Sequence, residues 1–206
     1  MNVSEPTSMP VALSQTPAEV RKKRLMDAAL NLFAEFGFHG VAVPRIAKEA
    51  GVATGSVYNY FESKEELVNE LFWTLKQTLK NYYLTDYPIE ADASAQFKFI
   101  WGRLQQYALD FPEAFQFIEG QLHSSYLSDK CIALQEEVFE IGRVFVRFGQ
   151  SQGVIAHADP QLIVALFFGA FVQFFKDTRA NRQNWSMENS LIYRDLCWKA
   201  ISVLTS

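Results

Sequence analysis

The chain has 206 residues, 49% of them hydrophobic and 20% charged, with 19 Lys and Arg set against 23 Asp and Glu. That length holds one compact domain or a small domain joined to a larger one, and it excludes a large multi-domain enzyme; the composition excludes a chain that is disordered or fibrous throughout. A net charge of −4 argues against indiscriminate attraction to nucleic acid or anionic membrane and leaves room only for a local basic site.

Residues 1–17 lack the basic start and apolar stretch of a signal peptide, and their Pro, Ser and Thr predict a flexible N-terminal arm. From there onward apolar residues recur at helical spacing and no run shows sustained alternation, so the expected fold class is all-α. The first helix starts after Pro17 and carries Val20, Leu25, Ala28, Ala29, Leu32, Phe33 and Phe36 on one face, with the basic run Arg21 to Arg24 in its first turns. It stops at Gly37, a residue suited to a left-handed C-cap. Two short helices follow, Val43 to Ala50 and Thr54 to Tyr60, with Gly51 supplying the positive φ of a tight interhelical turn.

Ser63-Lys64-Glu65-Glu66 reads as a capping box that opens a long helix to about Tyr83, in which Leu67, Leu71, Leu75 and Leu79 repeat every fourth residue. Later helices are expected over Ser94 to Asp110, Pro112 to Leu122, Ser128 to Gln152, Pro160 to Ala180 and Met187 to Leu204, separated by Pro, Gly and Ser-rich breaks. The expected organisation is a small three-helix domain over residues 18–62 and a larger helical domain over residues 63–206.

The segment Ile46 to Phe61 carries the functional signal. In a helix-turn-helix the first short helix braces the second, whose early residues reach base edges in the major groove. Ala47 and Gly51 permit a close crossing, Ile46, Val52 and Val57 form the apolar wedge, and Thr54, Ser56, Tyr58, Asn59 and Tyr60 are left exposed. Hydroxyls can bond phosphates or bases, and an Asn amide can pair with adenine.

Over Arg24 to about Leu71 the sequence resembles the TetR family of transcriptional regulators: an apolar helix ending in Phe-Gly, then I-A-K-E-A-G-V-x-x-G-S-V-Y-N-Y-F, then S-K-E-E-L. The resemblance implies a three-helix DNA-binding domain, a helical domain for a small effector, and a homodimer on an operator of double-stranded DNA. It implies that Tyr58, Tyr60 and Lys64 contact or frame the DNA backbone while Thr54, Ser56 and Asn59 face the groove. The chain departs from the family's pattern at Ala42 and Ala53, where a capping Ser or Thr is usual, and at Pro44, which leaves Arg45 as the nearest basic candidate. Each missing N-cap forgoes about 1 kcal/mol.

Fourteen of the 18 Phe follow residue 67, so the aromatic supply serves the larger domain. Packing explains most of them. The run Leu162 to Phe175 is apolar all round and so is expected to be covered on both faces. With Leu162, Leu166, Gly169, Ala170 and Gln173 from this helix and Leu196, Trp198 and Ile201 from the last one, two chains can form a four-helix dimer interface. A cavity for a small apolar or aromatic effector is the other use. Its candidate lining is Trp101, Gln105, Phe115, Gln121, His123, Tyr126, Phe145, Phe148, Phe171 and Phe175, a mixture of apolar walls and a few polar groups.

Cys131 and Cys197 form no CxxC pair, which predicts a reduced, cytoplasmic protein, and the run Leu162 to Val172 falls short of the ~20 residues of a membrane span. The three His share no ligand spacing with the two Cys, and neither a phosphate loop nor a nucleophile elbow occurs, so no metal, no cofactor and no enzymatic activity are expected. The reading is a sequence-specific regulator, a ligand-released repressor. The alternatives are an activator without ligand-controlled release or a helical small-molecule binding protein.

Overall fold

The computed structural model describes residues 16–120, 125–181 and 186–203. The elements are α1 Pro17–Phe36, α2 Val43–Ala50, α3 Thr54–Val57, α4 Lys64–Leu84, α5 Ala93–Asp110, α6 Pro112–Gly120, α7 Asp129–Ser151, α8 Pro160–Asn181 and α9 Met187–Ile201. Residues 1–15 of the expected arm lie outside the described residues.

Local chemistry explains the boundaries. The α1 start is a capping box: the Thr16 hydroxyl accepts from the Glu19 amide at 3.3 Å while the Glu19 carboxylate accepts from the Thr16 amide at 2.6 Å. Those bonds hold the exposed Glu19 carboxyl below its ordinary range. Pro17 follows at N1, where it loses no helical hydrogen bond. At the other end Gly37 has φ 70 but ψ 168, so the expected left-handed cap is replaced by an extended exit that only positive φ, not the full left-handed well, characterises. Gly51 does adopt the left-handed conformation, φ 67 and ψ 38, and turns α2 into α3.

The box at the α4 start differs from the sequence expectation in one bond. Ser63 Oγ accepts from the Glu66 amide at 3.0 Å, but the Glu66 carboxylate accepts from the amide of Glu62 rather than of Ser63. α3 is a single turn, and Tyr58 to Tyr60 continue as separate turns in which Tyr60 and Phe61 both donate to the Val57 carbonyl. α9 stops at Ile201, earlier than expected, because Ser202 turns extended and pairs with Ile155; the Ala156 amide donates to Ile201 O and the Val203 amide to Val154 O.

One buried cluster runs through the whole molecule. Leu25, Ala28, Ala29, Leu32 and Phe33 on α1 pack with Ile46, Ala47 and Ala50 of α2, then with Val57 and Phe61. The stack of Phe33 on Phe117, with centroids 6.1 Å apart, joins α1 to α6 and so carries the core from the N-terminal helices into the larger layer of α4 to α9. There Phe97, Trp101, Phe115, Phe145, Phe167 and Phe171 meet mostly edge to face or tilted, the arrangement that aromatic quadrupoles favour. Between α7 and α8 the helices come close at Gly142, where a Cβ would sit 3.1 Å from Val164.

α8 corrects one expectation. By length and composition Pro160–Thr178 passes as a possible membrane span, although 39% of it is buried within the fold, which is the pattern of a helix packed on one side. Within the single chain it is covered on one face: Ile163, Val164, Phe167, Phe171 and Phe175 are buried, whereas Leu162 is 66% exposed and Leu166, Gly169 and Gln173 lie on the face expected to meet a partner.

Candidate nucleic-acid interface and ligand cavity

α2 and α3 cross at a turn held by the amides of Gly51 and Val52, which donate to Lys48 O and Ala47 O. Arg24 closes it from below, its Nη2 donating to Ala50 O at 2.6 Å. Neither Ala42 nor Ala53 offers a side-chain cap, and Thr54 does not replace it. The anchors are Val57 and Phe61, both buried; Thr54, Tyr58 and Asn59 are exposed, Tyr58 by 55%, and Ser56 and Tyr60 are half-buried. Five candidate contact residues therefore lie on one short stretch with its apolar side held down. Arg45 is exposed at the start of α2, and its guanidinium lies 3.9 Å above the Phe36 ring, a cation–π contact that orients it.

Lys64 has a second role that its sequence position does not announce. Its ammonium donates to Phe38 O and Val41 O, each at 2.9 Å, and lies 4.0 Å above the Phe38 ring. Two of its three N–H donors thus hold the turn between α1 and α2. The basic run of α1 is also mostly spent inside the fold. Lys22 pairs with Glu70 at 2.6 Å, Lys23 with Asp27 at 2.7 Å, and Arg24 holds α2.

The candidate effector residues separate. Gln121 and His123 lie outside the described residues. Tyr126 belongs elsewhere: its ring stacks on Phe38 at 4.1 Å, against the N-terminal helices. Its carbonyl accepts from Asn69 Nδ2 at 2.8 Å, and Asn69 Oδ1 accepts from the Ser128 amide at 2.7 Å, so α4 clasps this segment. Phe115, Phe145, Phe171 and Phe175 are core, ring against ring, and Phe148 is half-buried. Trp101 and Gln105 are buried with Ser190 as their common partner. Trp101 Nε1 donates to its hydroxyl at 3.3 Å, and that hydroxyl donates to Gln105 Oε1 at 2.6 Å. These two also border an open groove of about 390 Å³ between α5 and α9.

A different cavity lies between α4, α5, α7 and α8. It measures about 30 Å³, and Lys76, Tyr83, Ile100, Phe139, Val164 and Phe167 are among its walls. None of the eight effector candidates among the described residues lines it. Lys76, 1% exposed, forms an ion pair with Glu119 of α6, 7% exposed. Burial, with the Glu119 charge second, pushes the phenols of Tyr83 and Tyr107 well above their ordinary range, so both stay neutral. The sequence pattern put Lys76 on an ordinary helix with nothing to mark it, since its partner is 43 residues away.

On the expected dimer face Leu162, Leu166, Gly169 and Gln173 are exposed, as is Leu196, and Ala170 and Trp198 are half-buried. Ile201 is a correction. It is 1% exposed and its carbonyl pairs with Ala156, so it belongs to the core of its own chain. Leu191, part of the expected apolar stripe of the last helix, and its neighbour Ile192 are also exposed on α9.

Two family models cover the chain. Residues 25–71 match bacterial regulatory proteins of the tetR family, and residues 72–203 match the tetracyclin repressor-like C-terminal domain. The HTH-type transcriptional regulator YhgD of Bacillus subtilis is 40% identical over 60 residues, 29% of this chain and 31% of that protein. The chain spans only 25% to 45% of the length of the curated relatives it matches. Among solved structures, a TetR family transcription regulator of Marinobacter aquaeolei VT8 has a TM-score of 0.77 at 21% identity, over 90% of this chain and 97% of that one. The regulator FadR of Bacillus subtilis, solved with stearoyl-CoA, has a TM-score of 0.68 at 23% identity, over 87% and 98% of the two chains. With a C-terminal family model spanning more than half of its length beside the N-terminal one, the chain belongs to the TetR family of bacterial transcriptional regulators.

Proposed function

We propose that this protein is a homodimeric, sequence-specific repressor that binds a palindromic operator and is released from it by a small apolar or aromatic effector. The observation that carries the reading is the stretch Thr54 to Tyr60, held by buried Val57 and Phe61 with Thr54, Tyr58 and Asn59 turned outward. Such a segment can enter a major groove, with Thr54, Ser56 and Asn59 at base edges and Arg45, Tyr58, Tyr60 and Lys64 at phosphates.

Dimerisation rests on the open apolar face of α8 and α9, where Leu162, Leu166, Ile192 and Leu196 are each more than half exposed. Large apolar side chains left open on two neighbouring helices fit a surface that a partner covers. It would place two heads at a fixed spacing, so two half-sites about one helical turn apart would be read together. Release would follow from the layout: α4 begins against the turn between α1 and α2 and ends beside the cavity, so an effector that favours a tilted α4 moves a head off register. The coupling need be only ~1 to 3 kcal/mol.

Retention on randomised duplex DNA followed by sequencing tests the reading. Enrichment of one palindrome is the expected result, and its absence would defeat the DNA-binding assignment. A small-molecule binding protein without operator control would show ligand-dependent thermal stabilisation and no enriched sequence.

A further inference from the structure

The cavity between α4, α5, α7 and α8 contains more hydrogen-bond donors than the chain itself satisfies. Lys76 Nζ carries three N–H groups and, among the described residues, has one acceptor, the Glu119 carboxylate. The Tyr83 hydroxyl is 6% exposed as part of its residue and has no acceptor among the described residues. Both side chains line the same cavity, whose remaining walls are apolar, and the ammonium lies 5.7 Å from the ring centroid of Phe139 in one of those walls. Among the described residues Arg103 Nε alone is a fully buried side-chain polar atom without a partner, so Lys76 and Tyr83 are not orphaned donors but donors at the edge of a void with bonding capacity to spare.

The charge on these groups restricts what can satisfy them. Lys76 and Glu119 already cancel, and Tyr83 is held neutral by burial and by the Glu119 charge. A carboxylate entering beside them would leave a net negative charge buried among Ile100, Phe139, Val164 and Phe167, with desolvation opposing it. A neutral acceptor adds no charge and gains the spare donors. We propose that the cavity binds an apolar ligand through one neutral carbonyl oxygen, of the ketone, ester or thioester class, which accepts from Tyr83 Oη and Lys76 Nζ.

This deepens the effector reading given above and rests on it for its regulatory consequence, though not for binding itself. The void of about 30 Å³ has room for about one water molecule, or for the acceptor group. The body of the ligand must then part α7 and α8 from α4. The donors sit on α4, the helix that continues to the DNA-binding helices, so the same event that satisfies them displaces it.

The test uses the purified full chain and three probes, 2-octanone, octanoate and octane, titrated by calorimetry. The ketone is expected to bind at least tenfold more tightly than either of the others. Tyr83→Phe is expected to weaken the ketone about tenfold and to leave octane unchanged, since only one hydrogen bond is lost. Should that variant be too unstable to titrate, Lys76→Met combined with Glu119→Met removes the charged donor and gives the same comparison. Equal binding of ketone and octane, tighter binding of octanoate, no binding of any probe, or indifference of the ketone to both sets of substitutions each overturn the proposal. Operator selection on the ligand-free chain is read separately. An enriched operator without ketone preference defeats the ligand class alone, and ketone preference without an enriched operator defeats the repressor reading alone.

Discussion

The Lys76–Glu119 pair is expected to be costly to break and inexpensive to remove. Both side chains are almost fully buried, at 1% and 7% exposure, and the ammonium faces the rings of Phe72 and Phe139 at 5.8 and 5.7 Å. Replacing Glu119 with Met leaves that ammonium with no counter-charge in apolar surroundings, and replacing Lys76 with Met strands the carboxylate in the same way. Loss of one partner of a buried pair costs about 3 to 5 kcal/mol, whereas replacing both by apolar groups of similar length is close to neutral or stabilising. For a chain of this size 1 kcal/mol moves the melting temperature by about 2 to 4 °C, so each single variant should melt about 10 °C lower and the double variant close to the parent. Calorimetric melting of the four proteins gives the double-mutant cycle directly, with the coupling energy as the difference between the double variant and the sum of the singles. Additive losses, with the double variant falling by the sum, would refute the claim that the two charges depend on each other.

Three further outcomes follow from other parts of the molecule. Asn59→Ala should relax preference at one operator position at a cost of about 1 to 3 kcal/mol, while Lys64→Ala, which frees Phe38 O and Val41 O from their donor, should weaken all DNA sequences alike and also lower the melting temperature; quantitative binding to operator and random duplex distinguishes the two. Leu166→Glu on the open face of α8 should convert the proposed dimer to monomer in sedimentation equilibrium without lowering helicity, because that side chain is half exposed in the single chain and a charge there is buried only by a partner. Burial pushes the Tyr87 phenol up to about 12 from its ordinary 10, so the native state keeps a proton that the unfolded chain has lost; the stability this contributes is complete below pH 10 and disappears as pH rises to 12, and Tyr87→Phe should flatten the stability profile in that window as read by urea titration.

What the sequence makes legible is what is encoded locally. Gly51, the wedge of Ile46, Val52 and Val57, and the Ser63 cap are each decided within a few residues, and the fold contains all of them. The same locality accounts for the misreadings. Thr54 to Tyr60 carries helical spacing, yet without a cap at Ala53 the helix closes after one turn. Ile201 continues the apolar stripe of α9, and only the non-local pairing with Ala156 reveals that its side of the helix is internal. Tyr126 has the composition of a cavity residue, but a stack on Phe38, 88 positions earlier in the chain, takes it to the N-terminal helices. Lys76 is the extreme case. A lysine on a helix reads as solvated, and nothing in its neighbourhood names Glu119.

These long-range contacts also explain why the N-terminal helices cannot respond independently of the rest. α6 touches α1 through the Phe33–Phe117 stack and α4 through the ion pair, so α1, α4 and α6 form a closed triangle with an aromatic contact on one side and a buried charge pair on another. A second clasp runs from α4 through Asn69 to the Tyr126 segment and from there onto Phe38, whose carbonyl is held by Lys64 at the α4 start. Sliding α4 relative to α6 must stretch a charge pair in low dielectric, where separation is penalised steeply, while the aromatic contacts on either side lose little over the same distance. The resistance to tilting is therefore concentrated at Lys76, which also lines the cavity. A group that bonds the spare Lys76 donors lowers the cost of parting from Glu119, and so acts on the stiffest member of the triangle rather than on its many weak ones.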